Sequence, residues 1–145
     1  ALEAAGAAPL TTKAYEIFRV EAGLPAAHTE LTEAYTPLET GLAAAISSTK
    51  GCYTGQEVIA RQITYDKITR PLVGLRLGAA VQAGARVLAE GRSVGEVTSA
   101  VVSPRLGALA LAVVKRPYNQ VGSAIEIEQN QGNIRGEVAE LPFRS

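Results

Sequence analysis

Arg70-Pro71-Leu72-Val73-Gly74-Leu75-Arg76-Leu77 marks the point where the chain changes its period. Proline disfavours helix in the residue before it, so a helix upstream has to end by Arg70. After Pro71 the side chains follow a strand, with Arg76 on its outward-facing set. Short segments of the same kind follow at 85–88, 93–98, 108–115, 124–127 and 134–141, and Glu126 fits the same inward and outward alternation. Gly78, Gly84, Gly91, Gly107, Gly122 and Gly132 punctuate them. Short strands separated by glycine turns predict a small barrel or sandwich.

Upstream the period is helical. Thr11-Thr12 precede a segment running to about Ala22 in which Ala14, Ile17, Phe18 and Ala22 recur on one face, with Tyr15 at its edge and Arg19 near its border. Gly23 and Pro25 stop it. Thr36-Pro37-Leu38-Glu39 reads as a capping box with proline at the first helical position, and Leu38, Leu42 and Ile46 follow on one face. Ser47-Ser48 and Gly51 end that helix. Thr54-Gly55-Gln56-Glu57 reads as a second capping box, with Thr54 as N-cap and Val58, Ile59 and Ile63 as the apolar side of the next helix.

The bulk composition narrows the function classes. The 145 residues are 47% hydrophobic and 19% charged, a globular composition. Fourteen basic residues balance fourteen acidic ones, which argues against a large nucleic-acid footprint. The pairs Lys115-Arg116 and Lys67 with Arg70 read as solvated surface. No apolar run reaches the ~18 residues that span a bilayer, and no secretory signal opens the chain. The single Cys and single His cannot close a zinc site, so no metal is expected. A lone free cysteine suits the cytoplasm. His28 stands alone in a polar loop. There is no Met, even at position 1, which reads as a processed product or a fragment.

Cys52 is the candidate reactive residue. It lies just before the predicted helix start, where partial positive charge and unpaired N–H groups gather. Lys50 stands two residues back, and both features favour a thiolate. Gly51 and Gly55 allow close approach of a ligand to the backbone. The alternative for Cys52 is a small buried hydrophobe. Tyr53 can stack on a ring or pack in the core. Glu57 belongs to the capping box, which leaves Gln56 free to bond a ligand. Arg19 by itself reads as a surface ion pair with Glu16 or Glu21.

Lys50-Gly51-Cys52-Tyr53-Thr54-Gly55-Gln56-Glu57 resembles the K-G-C-[FY]-x-G-Q-E signature of the YgfZ-type folate-binding proteins. In the same order, the segment around Arg19-Val20-Glu21-Ala22-Gly23 resembles that family's R-x-E-A-G helix. Pro37 to Leu42 resembles P-L-E-x-G-L. Val94 to Ser99 resembles V-G-x-V-T-S, and Ser103 to Gly107 resembles S-P-x-L-G. The related glycine cleavage T-protein is an aminomethyltransferase that moves a one-carbon unit onto tetrahydrofolate. Its loop usually lacks the cysteine and reads closer to K-x-D-F-x-G, so this chain groups with the YgfZ branch.

The resemblance implies an α+β fold: residues 1–70 as the mainly helical end of a central α/β domain, and residues 71–145 as a small antiparallel β-barrel of about six strands. It implies tetrahydrofolate as cofactor, Arg19 reaching the folate, and Cys52 as the functional thiol. Lys50, Tyr53 and Gln56 match the positions around that thiol. It further implies a role in maintaining iron–sulfur enzymes and the tRNA modification that depends on them, with iron–sulfur proteins as partners. Much of the folate pocket and the T-protein's catalytic carboxylate lie in an N-terminal region that this chain does not show. The alternatives are a one-carbon transferase of the aminomethyltransferase kind and a non-catalytic interaction module.

Overall fold

The computed structural model describes residues 3–47, 49–65 and 68–144. Ser48 and Lys67, named above, lie outside the described residues. Two α-helices, α1 (Thr12–Glu21) and α2 (Gln56–Thr64), precede six strands: β1 (Leu72–Leu77), β2 (Arg86–Ala89), β3 (Arg92–Ser103), β4 (Gly107–Val114), β5 (Ala124–Ile127) and β6 (Ile134–Ala139). Short 3-10 turns lie at Glu3–Ala5 and Ala43–Ala45. The strands pair antiparallel in the order β1-β4-β3-β2-β5-β6 and close into a barrel. The expected fold class, a small antiparallel barrel after a helical part, is what the chain adopts.

Closure rests on β1 and β3. β1 pairs along its whole length with β4, from Leu72 opposite Val113 to Leu77 opposite Ala108, and with β6 through Gly74 to Leu77. β3 is the longest strand, and its two ends serve different neighbours. Arg92 to Glu96 pair with β2, and Gly95 to Ser103 pair with β4. Register shifts between Val87 and Leu88 and between Val97 and Ser99 bend the strands through this corner. Gly95 sits there for lack of room: a Cβ on it would lie 2.3 Å from the Val113 carbonyl oxygen.

The barrel interior is small, and the sequence meets it with small side chains. Ala110 and Ala112 of β4 point inward among Val73, Leu75, Val87, Val97, Ile125, Ile127 and Val138. Leu109 and Leu111 of the same strand point outward, into a second cluster with Val20 of α1 and Phe143 of the C-terminal tail. β4 is therefore buried on both faces, which is why it reads as a continuous apolar run without alternation.

α1 lies on β3 and β4, so it packs across the expected boundary at residue 70. Thr11 caps it, its hydroxyl accepting from the Ala14 N–H at 3.2 Å. Glu21, near its end, accepts from Ser103 Oγ at 2.6 Å and Arg105 Nη2 at 3.1 Å, and its carbonyl accepts from the Phe143 N–H at 2.8 Å. The buried face differs from the expected one. Arg19 and Val20 are inside, while Phe18 is 60% exposed and Tyr15 is exposed too. Helical spacing found an apolar stripe, but the barrel's outer surface, with Ser99 beside Leu109 and Leu111, selected the neighbouring one.

The helix expected from Leu38 is also corrected. The Thr36–Glu39 box does form, with the Thr36 N–H donating to Glu39 Oε2 at 3.0 Å and the Glu39 N–H to Thr36 Oγ1 at 3.3 Å. It caps only a turn, because Gly41 takes a left-handed φ of 79° and only the Ala43–Ala45 3-10 turn follows. The turn is tied to the barrel by Glu39, whose carbonyl accepts the Leu72 N–H at 2.7 Å and whose carboxylate accepts Arg70 Nε at 3.2 Å.

Val20→Ala is expected to lower unfolding free energy by about 2 kcal/mol in urea denaturation, since Val20 is fully buried between helix and barrel. Phe18→Ala is expected to change it by less than about 0.5 kcal/mol.

Candidate functional site

The Cys52 loop lies between the Ala43–Ala45 turn and α2. Ser47 Oγ accepts the Lys50 N–H at 3.2 Å, which fixes the entry to the loop. The Lys50 ammonium sits over the Tyr53 ring, 4.8 Å from its centroid. Cys52 is exposed and free, with Gly51 exposed beside it. Tyr53 and Gln56 are half-buried. Lys50, Cys52, Tyr53 and Gln56 thus share one solvent-reaching loop.

Two expectations about this loop are corrected. Thr54 does not cap α2; the N-cap is Gly55 at φ 83°, with no side-chain cap bond. Gln56 is not free of structural duty either. Its Oε1 accepts the Tyr53 N–H at 3.4 Å while its own N–H donates to the Tyr53 carbonyl at 3.3 Å. This reciprocal pair does the work assigned to Thr54 and Glu57, with the left-handed Gly55 at the N-cap between its two residues. On α2 only Ile59 is buried; Val58 and Ile63 are exposed.

Arg19 is held in a different place. Its side chain is 3% exposed. Nε and Nη2 donate to the Glu16 carboxylate, Nη2 at 2.6 Å. Nη1 donates to the Leu24 carbonyl at 2.8 Å, and Nη2 also reaches Ser99 Oγ at 2.9 Å. The Ser99 hydroxyl donates in turn to Glu30 Oε1 at 2.6 Å. Glu30 is fully buried and also accepts from Thr29 Oγ1 at 2.6 Å and the Ala26 N–H at 3.0 Å, with Arg19 Nη1 3.5 Å away.

Burial alone pushes the Glu30 carboxyl up, but the hydroxyls of Ser99, Thr29 and Thr98 and the Ala26 N–H together outweigh it and hold the group below its ordinary value. Sequence reasoning passed over Glu30. Its partner Ser99 is 69 residues away, and no local spacing signals that contact. Beside this network is a hollow of about 410 Å³ lined by Glu30, Leu31, Tyr35, Pro37 and Leu42. Burial, together with the Glu96 charge, pushes the Tyr35 hydroxyl above its usual range. Among the described residues no group of three or more His, Cys, Asp or Glu is placed to hold a metal. No helix among them is long and apolar enough to cross a membrane.

Residues 70–144 match the family described as the glycine cleavage T-protein C-terminal barrel domain. A putative chloroplastic transferase of Arabidopsis thaliana is 37% identical over 143 residues, covering 98% of this chain and 32% of that protein. The aminomethyltransferase of Bacillus subtilis is 31% identical over 145 residues, covering 97% of this chain and 40% of the relative. The crystal structure of glycine cleavage system aminomethyltransferase T from Bartonella henselae superposes with a TM-score of 0.82 at 26% identity, over 90% of this chain and 38% of that one. The chain thus spans between about a third and two fifths of the length of these proteins.

A carboxyl held below its unfolded value stabilises the fold above that value of 4.5 and loses the contribution as pH falls through the lower folded value. Glu30→Gln is therefore expected to lower stability by about 2 kcal/mol at pH 7, since it leaves the Arg19 charge with less compensation. Urea denaturation from pH 7 to pH 3 should show a flatter acid loss in the variant than in the parent.

Proposed function

Since this chain belongs to the glycine cleavage T-protein C-terminal barrel family, we propose that it is part of a tetrahydrofolate-binding protein of the YgfZ type. In this reading it works in the cytoplasm and assists the maintenance of iron–sulfur enzymes and the tRNA modification that depends on them. Cys52 is its functional thiol.

The observation that carries this reading is the exposure of Cys52 on a loop shared with the Lys50–Tyr53 pair and the start of α2. A thiol in that position is open to a partner protein or a ligand. The hollow beside Glu30 supports the folate half of the reading. Its walls of Leu31, Pro37 and Leu42 with the Tyr35 ring suit a flat heterocycle, and its volume of about 410 Å³ is in the range of small-molecule sites. The hollow fits the ring portion of a folate. Tetrahydrofolate would supply one-carbon chemistry when bound there.

Arg19 takes a positioning role in this proposal, because its guanidinium and its partner Ser99 both reach Glu30, which lines the hollow. Lys50, Tyr53 and Gln56 shape the loop that carries the thiol. The exposed apolar residues Tyr15, Phe18, Val58 and Ile63 on the two helices support a protein contact there, with further chain of the same protein or with an iron–sulfur client.

A second reading is favoured by the relatives described as aminomethyltransferases, at 30–34% identity. It makes the chain part of a one-carbon transferase acting on tetrahydrofolate.

An anaerobic titration with tetrahydrofolate tests the shared part. Saturable binding is expected, weakened about tenfold by Tyr35→Ala and unchanged by Cys52→Ala. No saturation up to ~1 mM overturns a folate site in these residues. In cells lacking their own copy of the full protein, Cys52→Ala placed in it is expected to lose iron–sulfur enzyme activity. One-carbon transfer onto tetrahydrofolate in a glycine-cleavage assay, indifferent to Cys52→Ala, would select the transferase instead.

A further inference from the structure

The barrel carries a concave face that neither the Cys52 loop nor the Glu30 hollow explains. A groove of about 790 Å³ is lined by residues of β2, β5 and β6, the interior residues Ala89 and Ile125 among them. Its size is that of a small-molecule site. Leu88 of β2 and Ala124 of β5 contribute apolar floor, and they face outward by strand alternation, since Val87, Ile125 and Ile127 fill the interior.

One rim is the β2–β3 turn. Glu90 and Gly91 both take left-handed φ values, 53° and 74°. Gly91 does so freely; Glu90 adopts a conformation that non-glycine residues avoid. The Glu90 carboxylate accepts the Tyr118 hydroxyl at 3.1 Å, which ties this turn to the loop after β4. The rim is thus tied down, and it carries the Glu90 carboxylate, with Arg92 next in the chain after Gly91.

The other rim carries one cation and one carboxylate, for Arg135 and Glu126 both line it. Arg135 of β6 stands directly across from Glu126 of β5. Such a pair ordinarily joins, but Glu126 Oε2 accepts Asn133 Nδ2 at 2.8 Å instead. Among the described residues the Arg135 guanidinium has no hydrogen-bond or ion-pair partner, and it lines the groove. Two strand spacings separate β6 from β2, roughly 10 Å.

We infer that this groove is a second ligand site for a small monocarboxylate with a flat apolar body, its carboxylate on Arg135 and its ring over Leu88 and Ala124 toward Tyr118. A guanidinium suits a carboxylate as a paired donor. The Glu90 charge at the far rim excludes a ligand with an anion at both ends.

The test is an amide-resolved NMR titration of the 145-residue chain with 4-methylbenzoate and with terephthalate, which has the same ring and a second carboxylate. 4-Methylbenzoate is expected to give saturable shifts at Leu88, Ala124 and Arg135. Terephthalate should bind more weakly by roughly threefold, by repulsion from Glu90. Arg135→Gln should weaken 4-methylbenzoate by about fivefold, Arg135→Lys should recover part of the loss, and Arg61→Gln on α2 should have no effect. Absence of saturation, shifts that survive Arg135→Gln, or equal binding of the two probes would each overturn the proposal. Unchanged amide dispersion in the variants keeps a folding defect from imitating the result.

Discussion

Everything in this structure depends on β4 being covered on both sides. A six-stranded barrel has a narrow interior, and β4 fills its share with Ala110 and Ala112. Its leucines then stand outside, and they need a cover of their own. α1 and the tail around Phe143 supply it, with Val20 at the centre of that second cluster. The barrel is thus not an independent piece to which a helix has been added. The close contacts required of Gly74, where a Cβ would lie 2.7 Å from the Phe143 ring, show how tightly the tail is seated on β1.

Placing α1 on the barrel brings a charged residue into the interface. Arg19 neighbours Val20 on the helix, so burying one carries the other inward. A buried guanidinium without partners would be prohibitive. Glu16, Ser99, Glu30 and the Leu24 carbonyl satisfy it, and they pin the segment between α1 and the Thr36 turn against β3. One polar network therefore does two jobs. It makes the helix–barrel contact tolerable, and it sets one wall of the hollow beside Glu30 and Tyr35. The hollow's wall at Glu30 thus follows from how a buried charge is neutralised.

The Cys52 loop obeys different physics. Its contacts are local: the Ser47 turn, the Lys50 ammonium over Tyr53, and the reciprocal Tyr53–Gln56 bonds that start α2. Nothing there is deeply buried, and α2 presents Val58 and Ile63 to solvent. The barrel is a rigid closed body. The loop is a short segment held by local contacts, with Cys52 exposed on it.

The sequence alone placed the strands and kept the residues of the Cys52 loop together. Local pattern after Pro71 and regularly placed glycines located five strands to within about two residues, because those signals act between near neighbours, but ended the third at 98 where β3 runs on to Ser103. The octapeptide around Cys52 is likewise contiguous, so its residues stay together whatever the fold does. The tertiary structure decided which face of α1 is buried, that the Thr36 box caps only a turn, and that Gln56 rather than Thr54 closes the start of α2. It alone joined Glu30 to Ser99 and left Arg135 apart from Glu126. Those outcomes depend on surfaces assembled from residues far apart in the chain. A hydroxyl 69 positions away leaves no periodic trace beside the carboxylate it satisfies.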